Sequence, residues 1–179
     1  MKFISILRGI NVSGQKKIKM ADLKALYEGL GFSNVSTYIQ SGNVLFECEQ
    51  NDKSPLKTQI EQAITKAYSF DVPVDVRTVD EFKAVLANLP FDGIELEKDG
   101  TQVMVTFLAG EPHQDKIDAI ATYVKAPEKL VVDGSVVYLH CPNGYGKSKL
   151  TNVFIEKKLA VCATTRNLKS VTKLCELAG

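Results

Sequence analysis

Apolar residues in the first half of the chain follow two spacings. Positions that repeat every second residue predict strands, and positions three or four residues apart predict amphipathic helices. The predicted strands are residues 3–8, 35–40, 44–48 and 72–78, and the predicted helices begin near Met20 and at Pro55, with Ser54 as N-cap. The resulting β-α-β-β-α-β order is that of a ferredoxin-like unit, also called a split β-α-β fold.

Local sequence signals mark the ends of these elements. Gly31 stands where a left-handed residue would end the first helix. Residues 41–43, Ser-Gly-Asn, predict a hairpin turn between the second and third strands. Thr78 and Glu81 have the spacing of a capping box, in which each side chain binds the backbone N–H of the other residue. A short helix is therefore expected to start directly after the fourth strand.

The second half repeats this order except at its last strand. A strand over residues 103–108 is followed by an amphipathic helix and then by two strands, residues 130–132 and 136–139, that flank a second hairpin turn. A helix is predicted to start near Lys147, and a further helix ends the chain, which gives the order β-α-β-β-α-α. No residue-level identity links the two halves, so a duplication is inferred from element order alone.

The predicted fold class is therefore α+β. We expect two ferredoxin-like (split β-α-β) halves with antiparallel sheets, helices packed on one face of each sheet, and an extra C-terminal helix. The first unit is expected to span residues 1–78 and the second residues 102–179. Residues 79–101 are expected to form a helical connector and an acidic loop between them.

Composition narrows the class of protein. The chain of 179 residues is 45% hydrophobic and 24% charged, as in ordinary globular proteins, and its net charge of +1 argues against a dedicated DNA-binding surface. No apolar stretch approaches the roughly 20 residues of a membrane span. The four cysteines show no CxxC spacing, and the apolar run at the N-terminus is too short for a signal peptide. These features favour a cytoplasmic protein without membrane association.

Polar and cationic residues concentrate in two turns that the topology brings together. In a ferredoxin-like unit the third strand lies antiparallel beside the first, so the loop over residues 9–17 lies next to the turn at 41–43. We expect a polar cluster suited to an anion or phosphate there, formed by Arg8, Asn11, Gln15, Lys16, Lys17, Gln40, Ser41 and Asn43. Turn chemistry alone is the alternative explanation for glycine and asparagine at these positions.

An imperfect phosphate-loop pattern occupies residues 141–148, Cys-Pro-Asn-Gly-Tyr-Gly-Lys-Ser. A Walker A motif requires glycine where Cys141 stands. The predicted helix start beside Lys147 and Ser148 nevertheless suits an anion, because helix N-termini expose unpaired N–H groups. A true P-loop belongs to a parallel sheet, whereas only helices are predicted after this loop, so a nucleoside triphosphatase is not expected. An ordinary N-cap at Ser148 or Gly146 is the alternative.

A second candidate helix start lies at residues 164–167, Thr-Thr-Arg-Asn. Thr164 or Thr165 is the predicted N-cap of the last helix. Arg166 and Asn167 are candidate ligand-binding residues, because a guanidinium can clamp a carboxylate or phosphate with two hydrogen bonds. Pairing of Arg166 with an acidic residue of a neighbouring element, or with a partner chain, is the alternative.

Catalytic residues are not identifiable from the sequence. His140 ends a predicted strand beside Cys141, and adjacent strand residues point to opposite faces, so the two side chains are poorly placed to act as a nucleophile and its base. His113 and His140 lack a second ligand at a suitable spacing, so no metal site is expected, and no cofactor is indicated.

Three segments together resemble the bacterial family known as domain of unknown function 1697. They are Leu7-Arg8-Gly9-Ile10-Asn11-Val12, Tyr38-Ile39-Gln40-Ser41-Gly42-Asn43-Val44 and Thr164-Thr165-Arg166-Asn167. The family usually has a glycine pair where this chain has Ser13-Gly14, and a tryptophan where it has Leu168. The resemblance spans nearly the whole chain and implies paired ferredoxin-like α/β units, but no activity.

These observations lead to three alternative hypotheses about function. The first is binding of a small anionic or phosphorylated ligand at the glycine-rich turns. The second is a protein-interaction module without catalysis. The third is weak nucleic-acid binding on the sheet, as in RRM domains. The third strand supplies only one aromatic residue, Phe46, which is expected in the core, so nucleic acid is not the expected partner. The oligomeric state is left open.

Overall fold

Each half of the protein contains one four-stranded antiparallel sheet. The computed structural model describes all 179 residues. The chain divides into two compact units, one formed by Met1–Lys83 with Leu174–Gly179 and the other by Ala84–Lys173. The predicted α+β class with two ferredoxin-like halves is confirmed.

The elements of the first half follow the predicted β-α-β-β-α-β order. In chain order they are β1 (Lys2–Leu7), α1 (Met20–Gly29), β2 (Ser33–Tyr38), β3 (Asn43–Glu47), α2 (Lys53–Tyr68) and β4 (Val74–Thr78), followed by α3 (Val79–Ala87). Gly31 has the left-handed φ of +87° expected after the first helix. The second helix starts earlier than predicted, because Asp52, and not Ser54, is its N-cap and accepts a hydrogen bond from Ser54 N–H at 3.0 Å.

The sheet of the first unit has the order β2-β3-β1-β4. Strand β1 is therefore central, and it pairs antiparallel with β3 and β4. One face carries Phe3, Leu7, Val44 and Phe46 into a core with α1 and α2. Phe46 is only 1% exposed, so the prediction that it belongs to the core is confirmed.

The second half continues with α4 and then repeats the strand-and-helix order. Its elements are α4 (Leu96–Asp99), β5 (Val103–Leu108), α5 (Gln114–Ala121), β6 (Lys129–Asp133), β7 (Val136–His140), α6 (Asn152–Leu159), β8 (Ala163–Asn167) and α7 (Leu168–Ala178). The sheet order is β6-β7-β5-β8. Its core face joins residues of the sheet such as Leu139 to Ile120 of α5 and Ile155 of α6.

The predicted β-α-β-β-α-α order is wrong at one element. Residues 163–167 form strand β8, which pairs antiparallel with β5, and not the start of a helix. The segment lacks an apolar alternation, but Thr164 is only 3% exposed and Thr165 shares a 2.8 Å hydrogen bond with Thr106 of the neighbouring strand. Pairing with the buried central strand therefore decides the conformation of a segment whose polar residues suggested a cap.

Helix α6 also starts later than predicted. A short 3₁₀ turn occupies Tyr145–Lys147, the backbone is extended at Ser148, and the helix begins at Asn152 with Thr151 as its N-cap. Leu150 is fully buried just before this start. The burial of Leu150 anchors an extended segment where the sequence suggested a continuous helix.

An arginine occupies the same strand position in each half, a correspondence that the element order did not reveal. Arg77 in β4 and Arg166 in β8 both occupy the fourth position of a strand that pairs with the central strand. Both are buried. Each is followed by a residue that caps the next helix, Thr78 before α3 and Asn167 before α7. This common pattern supports a duplication of one ferredoxin-like unit.

No helix combines the length and the apolar composition that crossing a membrane requires.

The capping box before α3 generates a test of the fold. Thr78 N–H donates to Glu81 at 2.8 Å, and Glu81 N–H donates to Thr78 Oγ1 at 3.2 Å, as predicted. We expect Thr78→Ala to lower the free energy of unfolding by about 1 kcal/mol, because it removes the cap. Urea denaturation at neutral pH measures this change. Thr101→Ala, at an exposed position, is the matched control and should change the free energy of unfolding little.

The same capping box predicts that the stability of the fold depends on pH. Burial by itself raises the pKa of Glu81, but hydrogen bonds from Lys53 and from Thr78 N–H outweigh it and hold the pKa below its ordinary value. The stabilisation is therefore present above the ordinary pKa of a glutamate and is lost as pH falls through the lowered value. Glu81→Gln should weaken this acid dependence. An identical loss of stability at acid pH in the wild type and Glu81→Gln would contradict the assignment.

Candidate functional site

The two glycine-rich turns of the first unit meet at one edge of its sheet. Leu7 N–H donates to the carbonyl of Gly42 at 2.8 Å, and Ile6 lies opposite Asn43 in the strand pair. The end of β1 therefore lies beside the start of β3. This brings the loop that follows Leu7 next to the β2–β3 turn, which is the convergence that the element order predicts.

Asn11 ties the loop and the turn together. Its side-chain amide donates to the carbonyls of Ile18 and Gln40 at 2.9 and 2.8 Å, and its Oδ1 accepts from Ile18 N–H at 2.9 Å. Its backbone N–H donates to Lys16 O at 3.2 Å. Asn11 has a left-handed φ of +54°, which asparagine tolerates better than most residues. The amide of Asn11 is thus committed to holding the loop closed.

Gly42 allows the two segments to approach closely. Its φ is +83°, and a Cβ added there would lie 2.6 Å from Ile10 Cδ1 and 3.0 Å from Leu7 Cβ. A larger residue would be strained at this φ and would require Ile10 or the turn to shift. Glycine at this position follows from the contact between the turns and needs no role in ligand binding.

The tip of the loop is a tight turn. Gln15 N–H donates to Val12 O at 2.9 Å, and the intervening Ser13 and Gly14 both have positive φ. This geometry is that of a type I′ turn. Lys16 donates through Nζ to Asp71 O at 2.6 Å, which fastens the loop to the segment before β4. Lys16 therefore has a structural contact, whereas the neighbouring Lys17 side chain is exposed.

A groove of about 550 Å³ opens where the loop, the turn and the ends of α1 and α2 come together. Its lining residues are Asn11, Gly14, Lys17, Ile18, Lys19, Asp22, Gln40 and Tyr68. Two ammonium groups and one carboxylate give the lining a net positive charge. Burial, with the nearby carboxylate of Asp22, raises the pKa of Tyr68, so its phenol stays protonated at neutral pH.

Five predicted residues of this edge do not line the groove, namely Arg8, Gln15, Lys16, Ser41 and Asn43. Asn43 is fully buried, and its amide donates to Tyr38 O at 2.8 Å and to Ser41 Oγ at 3.1 Å. Asn43 and Ser41 thus stabilise the β2–β3 turn. Arg8 is half-buried, and its backbone N–H donates to Pro73 O at 2.9 Å. Of the predicted polar cluster, the groove brings together Asn11, Lys17 and Gln40.

The phosphate-loop-like segment does not form a helix N-terminus. Lys147 lies in the 3₁₀ turn and is exposed, five residues before α6 begins. Ser148 is buried, and its Oγ accepts from Leu150 N–H at 3.0 Å. The thiol of Cys141 is also buried, and its pKa is raised, chiefly by that burial. The expectation that a helix opens at Lys147 and Ser148 is therefore wrong.

Arg166 and Asn167 lie on β8 and not at a threonine-capped helix start. Arg166 is buried and donates to Thr165 O at 2.9 Å, and burial lowers its pKa to about 10. Asn167 Oδ1 accepts from Ser170 N–H at 2.8 Å, so Asn167 is the N-cap of α7. The prediction of Thr164 or Thr165 as cap is wrong because both residues belong to the strand.

Sequence patterns missed Lys19, Asp22 and Tyr68 as groove residues. Lys19 and Asp22 belong to the start of α1, and Tyr68 is the last residue of α2. Their spacing carries no motif. Only the packing of the two helices on the sheet places these helix ends beside the loop. No three His, Cys, Asp or Glu side chains lie in an arrangement that could hold a metal ion.

Comparison with known proteins identifies a family match and a solved structure with a similar fold. The sequence pattern of a family described as protein of unknown function (DUF1697) matches residues 1–138. The structure of the conserved bacterial protein SP0830 from Streptococcus pneumoniae is similar, with a TM-score of 0.76 and 24% sequence identity over 99% of this chain and 98% of that one. At this identity the likeness shows a common fold alone. No protein with a curated description matches the chain.

The hydrogen bonds of Asn11 generate a second test. We expect Asn11→Ala to lower the free energy of unfolding by about 2 kcal/mol, because it removes three hydrogen bonds, some of them partly exposed. Thermal or urea denaturation measures the change, and amide hydrogen exchange should rise at Ile18 and Gly42. Asn51→Ala, at an exposed position, is the control. Unchanged exchange at Ile18 would show that Asn11 does not hold the loop.

Proposed function

The chain belongs to the DUF1697 family of proteins of unknown function, and we propose that it binds a small anionic ligand, phosphorylated or carboxylate-bearing, in the groove between the two glycine-rich turns. The observation that carries the proposal is the groove itself. Its volume of about 550 Å³ lies within the range typical of small-molecule sites, roughly 300–1,000 Å³.

The charge of the groove supports an anion. Lys17 and Lys19 both line it and are exposed, so each can turn its ammonium toward a bound oxyanion at little structural cost. Gln40 adds a side-chain amide that donates and accepts. Asp22 on the same lining disfavours ligands whose negative charge extends to that side. This arrangement favours a compact anionic group over an extended polyanion such as nucleic acid.

The apolar part of the lining supports an organic ligand. Ile18 is buried beneath the groove, and the ring of Tyr68 forms part of its wall. Tyr68 stacks on Phe70 with ring centroids 5.7 Å apart, which fixes the orientation of the ring. A ligand with a ring or a short aliphatic portion next to its anionic group would contact both surfaces.

The remaining candidate residues have different parts in the proposal. Arg8, Ser41 and Asn43 support the site by shaping its turns. Lys147, Ser148, Arg166 and Asn167 have no part in it, since they belong to the other unit and three of them form the structural contacts described above. No catalytic group and no cofactor are assigned. We place the protein in the cytoplasm, which is consistent with four cysteines that are all free.

A second candidate function, a protein-interaction module, is favoured by two exposed apolar side chains. Val12 is 59% exposed at the tip of the loop, and Ile39 is 46% exposed in the β2–β3 turn. Ile39 also has a φ of +50°, which is costly for a β-branched residue. Val12→Ser with Ile39→Ser should alter association in light scattering only if this second function holds.

A titration followed by NMR tests the anion site. Inorganic phosphate, citrate and a nucleoside monophosphate are added in turn to the full-length protein, and we expect saturable shifts at Lys17, Lys19 and Gln40. Lys17→Glu with Lys19→Glu should weaken binding at least about tenfold, because two charge-assisted hydrogen bonds are lost. The shifts should also diminish as ionic strength rises, since the lysines are exposed.

The matched control exchanges two exposed lysines of the second unit, Lys116→Glu with Lys129→Glu. It makes the same change in net charge and should leave the dissociation constant unchanged. Equal weakening by both double variants would mean that the anion responds to overall charge and that no site exists. Shifts confined to other residues would also refute the proposed groove.

A further inference from the structure

A second cavity of about 340 Å³ lies in the first unit, on the sheet face opposite the α1–α2 core. It is separate from the groove and shares no lining residue with it. The residues that determine its chemistry are Lys2, Asn34, Ser36, Leu45, Glu47 and Leu177. All six belong to one compact unit.

Opposite charges stand side by side on this face. Lys2 and Glu47 are directly opposite each other in the β1–β3 pair, so both side chains project from the same face of the sheet. Ile4 and Leu45 form the next pair on that face, two residues further along each strand. The sheet therefore presents a cation and an anion beside an apolar surface.

Both charged groups retain hydrogen-bonding capacity. Lys2 Nζ donates to the carbonyl of Ala178 at 3.0 Å, which uses one of the three N–H groups of the ammonium. Glu47 is half-buried and lines the cavity, where its carboxylate can accept further hydrogen bonds. Lys2 and Glu47 are thus able to bind a ligand that carries both charges.

A β-bulge lies on the polar side of the cavity. The β2–β3 register shifts between Ser33 and Ser36, and Asn34 has a φ of +50°. Bulges re-aim side chains that a regular strand would place elsewhere. The exposed side chains of Asn34 and Ser36 thereby add an amide and a hydroxyl to the lining.

The opposite side of the cavity is apolar. Leu45 is 7% exposed and forms part of the sheet surface, whereas Leu177 is 51% exposed and reaches the cavity from the end of α7. An exposed leucine beside a buried one offers a surface that an aliphatic group of a ligand would cover. Removing this apolar surface from water would favour binding.

From this arrangement we propose that the cavity binds a free α-amino acid with an aliphatic side chain. The ligand carboxylate binds Lys2, the ligand ammonium binds Glu47, and the aliphatic side chain packs between Leu45 and Leu177. A zwitterion matches the paired charges, whereas a simple anion would be repelled by Glu47 and a simple cation by Lys2. The proposal does not depend on the anion groove.

Calorimetric titration of the full-length protein with L-leucine tests this assignment. We expect saturable binding, and we expect leucinamide and N-acetyl-leucine each to bind at least about tenfold more weakly, because each lacks one of the two charges. In a parallel NMR titration the shifts should fall on Ser36, Glu47 and the methyl groups of Leu177.

Glu47→Gln keeps the size of the side chain and removes its charge, so it should weaken leucine binding at least about tenfold. Glu49→Gln, at an exposed neighbouring position, is the control and should bind leucine as the wild type does. Leucine binding that is unaffected by Glu47→Gln, equal binding of leucinamide, or no saturable binding within the solubility of leucine would each overturn the proposal.

Discussion

Burial of the central strand on both of its faces is the constraint on which each unit depends. In β1 every residue from Phe3 to Leu7 is buried, and in β5 all six residues are buried. Both strands are hydrogen-bonded on both edges. A shift of one residue would move each side chain to the wrong face, so the register is fixed. The position at which each loop leaves the sheet is fixed with it.

The register of the first sheet determines which loop and turn lie together at its edge. Because Leu7 at the end of β1 is hydrogen-bonded to Gly42, the loop after Leu7 starts beside the β2–β3 turn. Asparagine and glycine residues hold the loop and the turn in place there. The side-chain amides of Asn11 and Asn43 donate hydrogen bonds to backbone carbonyls. Lysines stay exposed around the groove. The residue types that suggested a binding site thus divide into those that build it and those that can contact a ligand.

Signals contained within a few residues were predicted well. The capping box of Thr78 and Glu81, the left-handed Gly31 and the strand at residues 103–108 all depend on local geometry, and the structure contains each of them. Two predictions, the helix start at residues 164–167 and the start of α6, were wrong because contacts with residues distant in the sequence determine those conformations. Strand β8 exists because β5 offers it a hydrogen-bonding edge, and α6 starts late because Leu150 is drawn into the core. Neither cause is visible in the segments themselves.

The sequence alone determined the element order of the first half, the core position of Phe46 and the meeting of two polar turns, since these follow from periodicity and from the rules of strand pairing. Tertiary structure alone decided which polar groups remain available. Asn43 and Arg166 are buried, whereas Lys19 and Tyr68 reach the groove from helix ends. It also placed Lys2 opposite Glu47, because cross-strand pairs join residues 45 positions apart, and only the register of the folded sheet brings them together.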